Sequence, residues 1–189
     1  TTDKKTLLCF AAAAVIFAVA AALLGVNIFI SIAGGILLFA VLTFKIEFAD
    51  SLPVWMRFII LLLLTLIVFI LMQTAISCGI FLISPLKFFM NVIILAGVSS
   101  LLWMVTGNVK ISITIVTVIC YFVAIADHLV VQARSFEIQF SDFSALGTAA
   151  RVAGGYSFTL STVTKLGIVL GIVFLTFVMR CRFPSHERS

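Results

Sequence analysis

Charged residues are scarce in this 189-residue chain: Asp, Glu, Lys and Arg make up only 10% of it. Soluble globular domains carry roughly 25%. Hydrophobic residues reach 63%, and long apolar runs recur along the sequence. These runs do not alternate with polar residues, which argues against a transmembrane β-barrel. One small soluble core would not need six such runs, so the composition predicts an all-α, polytopic membrane protein.

The chain is also poor in the residues that build catalytic and metal centres. It has four cysteines and two histidines. No CxxC pair occurs, so neither a zinc motif nor a disulfide framework is indicated. No group of His, Asp and Glu offers a ligand set for a divalent metal, and no serine or threonine has a recognisable activating base beside it. We therefore expect no catalytic site, metal or cofactor in this chain by itself.

Six apolar segments are suited to cross a bilayer as helices, and together they form one transmembrane domain over residues 1–189. The third segment could continue to Ile83, because Ser84-Pro85 and Lys87 end it. The glycines at 34 and 35 are either neutral within their span or a site of close helix packing. The chain begins without methionine, so we expect a processed or trimmed start followed by an uncleaved first helix. The predicted spans are about 7–24, 28–44, 58–76, 88–105, 111–126 and 163–179.

The net charge of +5 is located at the segment ends. This placement indicates anchoring to anionic headgroups and control of topology, not binding of nucleic acid. Six spans put both chain ends on one side. If that side is the cytoplasm, eight basic residues lie inside and four outside, as the positive-inside rule favours. The inside group is Lys4, Lys5, Lys45, Arg57, Lys110, Arg180, Arg182 and Arg188, and the outside group is Lys87, Arg134, Arg151 and Lys165.

The main polar interruption lies between the last two spans, at about 127–160, and this topology makes it extracytoplasmic. Asp127 and His128 stand at its start, at the predicted end of the fifth span. Ionisable residues there either sit at the membrane interface or contact a lipid headgroup or partner domain. One histidine and one aspartate are too few ligands for a metal site.

A short amphipathic helix is predicted within this interruption, from Asp142 to about Ala153, where a glycine pair stops it. Its apolar and polar residues fall on separate faces, with Thr148 and Arg151 on the polar one, which suits a helix lying in the interface. Arg134 and Arg151 are candidates for binding lipid phosphates. Equally, both could extend toward the headgroups or pair with nearby carboxylates. Tyr156 would lie at the same depth.

The sequence of this stretch resembles the membrane region of lipoteichoic acid synthase-like proteins, which are bacterial phosphoglycerol transferases of the sulfatase superfamily. Their pattern is roughly F-R-G-x-P-x-x-P-x-D followed by T-A-x-N-V-A-G-N-Y, and the match covers about thirty residues. Ser135 replaces a glycine of the pattern, Glu137 and Phe140 replace prolines, and Arg151 and Gly155 replace asparagines. The residues that agree are Arg134, Asp142, Thr148, Ala149, Val152, Ala153, Gly154 and Tyr156.

The resemblance implies a membrane anchor for a large extracytoplasmic catalytic domain. That domain uses a threonine nucleophile and a divalent metal, usually manganese, to transfer glycerol phosphate from phosphatidylglycerol. This chain contains no such domain, so the domain is expected downstream or on a partner enzyme. The leading hypothesis is therefore the membrane-anchor and lipid-facing domain of such a transferase in the bacterial cell membrane. The alternative is a free-standing membrane scaffold or a small lipid transporter.

Overall fold

Six helices make up the regular structure of residues 4–44, 52–76, 84–134 and 159–182, which are the residues that the computed structural model describes. Five of them are long and apolar enough to cross a membrane, and the second, with 16 residues, is shorter. The predicted all-α, multi-pass class is confirmed at this level. The helices are α1 (Lys4–Leu23), α2 (Ile28–Thr43), α3 (Val54–Ala75), α4 (Pro85–Thr106), α5 (Val109–Arg134) and α6 (Thr162–Arg180).

The helix boundaries that differ most from the hydropathy pattern are the start of α3 and the end of α5. Helix α3 begins at Val54 instead of about 58, directly after Pro53. Helix α5 continues to Arg134, past the predicted end at about 126. The prediction ended there because Asp127 and His128 are polar, and it was wrong on this boundary. The predicted extension of the third span to Ile83, and the amphipathic helix at 142–153, lie outside the described residues.

Consecutive helices run antiparallel. Phe88 at the start of α4 packs edge-on against Phe69 in the second half of α3, with ring centroids 5.2 Å apart. Trp103 near the end of α4 lies 6.3 Å from Phe58 near the start of α3. The same alternation holds through the bundle. One end, called here the Arg180 end, collects the starts of α1, α3 and α5 and the ends of α2, α4 and α6. The opposite end, called the Ser161 end, collects the remaining helix termini.

Helix α6 packs against α2, α3 and α5, and so links the α1–α2 pair to the other helices. Small residues allow this close contact. A methyl group added at Gly167 would lie 2.6 Å from Cα of Ala75 in α3, and one added at Gly34 would lie 2.7 Å from a methyl of Val169. Gly35 meets α1 in the same way, 3.1 Å from the Ala14 carbonyl oxygen. Of the two interpretations of the glycine pair, the structure supports close packing.

The apolar core is formed where α3, α5 and α6 meet. Leu61 and Val68 of α3, Ile113 of α5 and Val178 of α6 are all fully buried. The outer surfaces of α1 and α4 are mostly exposed apolar side chains, as expected for helices that face lipid.

Three basic side chains join helices at their carboxyl ends. Lys165 Nζ donates to the Gly25 carbonyl oxygen at 2.8 Å, just after α1. Lys110 Nζ donates to the Met179 carbonyl oxygen at the end of α6. Arg180 Nη2 donates to the Leu42 carbonyl oxygen at 2.7 Å, near the end of α2. The last carbonyls of a helix lack intrahelical donors and carry partial negative charge, so cations stabilise them.

Replacing Arg180 with leucine is expected to destabilise the Arg180 end. The variant loses the hydrogen bond to Leu42 and the stacking of the guanidinium over the Phe10 ring, 5.0 Å from its centroid. We expect a loss of about 2 kcal/mol in the free energy of unfolding, measured by denaturant titration in detergent micelles. Arg180→Lys keeps the charge and should recover part of the loss. A leucine variant as stable as the parent chain would contradict this role.

Candidate functional site at the Ser161 end

A polar cluster, buried at His128 and Thr164 and exposed at Gln132 and Thr159, connects the last turns of α5 to the start of α6. It consists of His128 and Gln132 from α5, and Thr159, Ser161 and Thr164 from the start of α6 and the residues before it. His128 is 6% exposed and Thr164 is fully buried. Buried polar groups need hydrogen-bond partners, and here α5 and α6 supply them to each other.

Gln132 pairs with the backbone of Thr159 at two points. The Thr159 N–H donates to Gln132 Oε1 at 3.2 Å, and Gln132 Nε2 donates to the Thr159 carbonyl oxygen. This double pairing determines which end of the side-chain amide carries the nitrogen. It also holds the residues that flank 133–158 next to each other.

The orientation of Gln132 determines the tautomer of His128. His128 Nε2 lies 2.9 Å from Gln132 Nε2 and 3.4 Å from the Ser161 backbone nitrogen. Both neighbours are N–H donors, so Nε2 must accept and cannot carry a proton. This pattern assigns the N–H proton to Nδ1; Thr164 Oγ1 lies 3.3 Å from Nδ1 and 3.4 Å from Nε2. This assignment follows from the hydrogen-bond pattern.

Ser161 begins α6. Its Oγ accepts a hydrogen bond from the Thr164 N–H at 3.1 Å, and the two hydroxyl oxygens are 2.8 Å apart. A serine N-cap of this kind satisfies one of the free N–H groups at a helix start. The cap thus places Thr164 Oγ1 next to His128. The start of α6 is therefore held in place by hydrogen bonds to α5.

Tyr121 extends the contact between α5 and α6 toward the middle of the bundle. Its hydroxyl donates to the Gly167 carbonyl oxygen at 2.9 Å. Its ring lies against Gly171, where an added methyl group would come within 2.3 Å of it. The polar cluster and Tyr121 together hold α5 and α6 along the half of their shared length that is nearest the Ser161 end.

The predicted site residues fall into two groups. Asp127 and His128 lie inside α5 and are largely buried, so neither is at the helix terminus where it was predicted. Arg134 is the last residue of α5. Asp142, Thr148, Arg151 and Tyr156 lie outside the described residues.

Sequence reasoning missed Gln132, Ser161, Thr164 and Tyr121. Two local signals could have indicated some of them. Ser161 precedes an apolar run with Thr164 three residues later, which is typical of a capped helix start. His128 and Gln132 are four residues apart and therefore share a helix face. Neither signal reveals that the two pairs meet.

The chemistry of the cluster is that of a structural joint. It offers hydrogen-bond donors and acceptors that pair with one another. Among the described residues there is no group of three or more His, Cys, Asp or Glu that could hold a metal ion.

The fold and the cluster define a multi-pass α-helical membrane protein whose last two helices are joined by a polar cluster at one end of the bundle. Comparison of the chain with protein-family models, curated proteins and solved structures gives no match in any of the three.

Proposed function

We propose that this chain is the membrane-anchor and lipid-facing domain of a lipoteichoic acid synthase-like phosphoglycerol transferase acting in cell-envelope polymer synthesis. The observation that carries the proposal is the match of residues 134–158 to the membrane-region pattern of those proteins. The hydrogen bonds at the Ser161 end support it, because they hold the two flanks of this segment together at one end of the bundle. A headgroup-binding or domain-docking segment needs such a fixed base.

The distribution of basic residues supports an orientation with both chain ends in the bacterial cytoplasm. The Ser161 end, with residues 127–160, would then face the outside of the cell membrane. The positive-inside rule favours this arrangement. Among the described residues, the Ser161 end has Lys87, Arg134 and Lys165. The Arg180 end has Lys4, Lys5, Arg57, Lys110, Arg180 and Arg182.

In this proposal, the candidates for contact with a lipid headgroup or catalytic domain are Arg134, Asp142, Thr148, Arg151 and Tyr156. Arginine suits a phosphate because its guanidinium can donate two parallel hydrogen bonds. The lipid partner would be phosphatidylglycerol. Asp127 and His128 would act indirectly, through the joint between α5 and α6. Any divalent metal belongs to the catalytic domain.

The test uses the complete protein in cells that depend on it for polymer synthesis. Arg134→Ala and Asp142→Ala are expected to lower polymer output about tenfold or more, as loss of a positioning contact does, with unchanged amounts of protein in the membrane. Lys87→Ala is the matched control, because it removes a charge from the same end of the bundle but lies outside the pattern. Polymer output at the parent level in both variants would overturn the proposal.

The alternative, a free-standing scaffold or a small lipid transporter, has less support. Transporters place ionisable groups or broken helices near the bilayer midplane. In the described part of the chain, the buried Asp and His side chains are Asp127 and His128, near the Ser161 end. Co-purification of a catalytic domain on a separate chain would favour the scaffold.

A further inference from the structure

Helix α4 has one packed side and one open side. Its packed side contacts α3 and α5 through residues such as Phe88, Trp103 and the fully buried Ser99. In the most apolar 18-residue stretch of α4, only 6% of the residues are buried, which is the lowest share among the five long helices. The open side is available to lipid or to another helix.

Part of the open side forms a regular stripe of exposed side chains. Exposed residues follow one another at alternating spacings of three and four along the helix. They are Asn91, Ile94, Val98, Leu101 and Val105. In heptad terms, Asn91, Val98 and Val105 occupy the a positions, and Ile94 and Leu101 occupy the d positions. Parallel two-stranded coiled coils favour β-branched residues at a and leucine at d, with a single asparagine at a that specifies register and pairing.

The Asn91 side chain would be stabilised by a hydrogen-bond partner on this side of α4. Helix α4 is about 33 Å long and Asn91 lies about 9 Å from its start, so the residue is within the hydrocarbon layer. No hydrogen bond to the Asn91 side chain occurs within the described ranges. An unpaired amide in hydrocarbon is unfavourable, and asparagine commonly pairs across transmembrane helices.

We propose that α4 forms the interface of a parallel homodimer, with Asn91 of each copy hydrogen-bonded to Asn91 of the other. A second copy is the partner that fits, because every copy inserts in the same orientation and α4 therefore meets α4 in parallel. A two-fold axis brings identical residues together. An amide both donates and accepts, so it is self-complementary. Beside this face, a methyl group added at Gly97 would have no atom within 4 Å, which leaves room for a neighbouring helix. The proposal does not rest on the proposed function.

The first test measures self-association of the full chain in lipid vesicles by energy transfer between labelled copies at increasing protein-to-lipid ratio. We expect a dimer. Asn91→Leu should raise the dimer dissociation constant roughly 3- to 30-fold, the range for one interhelical hydrogen bond. Asn91→Gln keeps the amide and should recover part of the affinity. Leucine is compatible with a lipid-facing helix, so the variant keeps its fold. A parent chain that stays monomeric at all densities would overturn the proposal.

The second test locates the interface by disulfide cross-linking in a variant without the native cysteines. Ile94→Cys is expected to cross-link efficiently, because it faces its own copy across the two-fold axis. Phe89→Cys is the matched control: it is similarly exposed on α4, 63% against 61%, but lies outside the heptad face. Cross-linking at position 89 that equals that at position 94 would reject this interface, even if the protein dimerises elsewhere.

Discussion

Replacing Gly167 with valine should separate α6 from α3 and cause a large loss of stability. The first added carbon would lie 2.6 Å from Cα and 2.7 Å from the backbone nitrogen of Ala75. Backbone atoms cannot rotate away, so the two helices must move apart. Overpacking of this kind costs about 3 kcal/mol, and here it affects the helix that also contacts α2 and α5.

The matched control for this prediction is Gly97→Val. Both substitutions place the same side chain in a long apolar helix, but nothing lies within 4 Å of a carbon added at Gly97. The control should change the free energy of unfolding by no more than about 0.5 kcal/mol. Both variants would be measured as monomers by denaturant titration in dilute micelles. Equal losses in the two would show that α3 and α6 do not depend on close packing at Gly167.

Replacing His128 with leucine is expected to open the joint between α5 and α6. The variant removes the acceptor for the Ser161 N–H and the Gln132 amide, and the partner of the Thr164 hydroxyl. Buried polar groups left without partners should cost about 3 kcal/mol in total. The measurement is hydrogen exchange at the backbone amides of Ser161 and Thr164, which should become faster.

Two further observations make the His128 prediction specific. His128→Gln offers a side-chain amide that can both accept and donate, so it should restore part of the protection that leucine removes. In the parent chain, nitrogen NMR of the imidazole should show the proton on Nδ1. Unchanged exchange in the leucine variant, or a ring with the proton on Nε2, would contradict the proposed geometry of the joint.

The helices could be predicted from sequence because hydropathy reports the cost of exposing backbone and polar groups to lipid. The same reasoning failed at the end of α5. Asp127 and His128 looked incompatible with a continuing span. The local sequence indicates that burying a polar residue is unfavourable, but it does not indicate which distant residues form hydrogen bonds with that residue. Two of the hydrogen-bond partners of His128, Ser161 and Thr164, are 33 and 36 residues away.

The glycines also show that local sequence does not identify the neighbouring helix. Gly34, Gly167 and Gly97 look alike in sequence, each within an apolar helix. Two of them lie against neighbouring helices and one faces open space. Local composition indicates where helices can approach, whereas the identity of the neighbour depends on the three-dimensional arrangement.

The contacts of α6 have a consequence for biogenesis. This helix follows the other five in the sequence, yet it packs against α2, α3 and α5. During synthesis, those three helices enter the membrane before the partner that joins them. Until α6 inserts, Gly34, Ala75 and the Tyr121 hydroxyl lack their contacts with α6, and the Leu42 carbonyl oxygen lacks the hydrogen bond from Arg180. Assembly of the bundle is therefore completed late, by the insertion of one helix into a cleft that the earlier helices have left open.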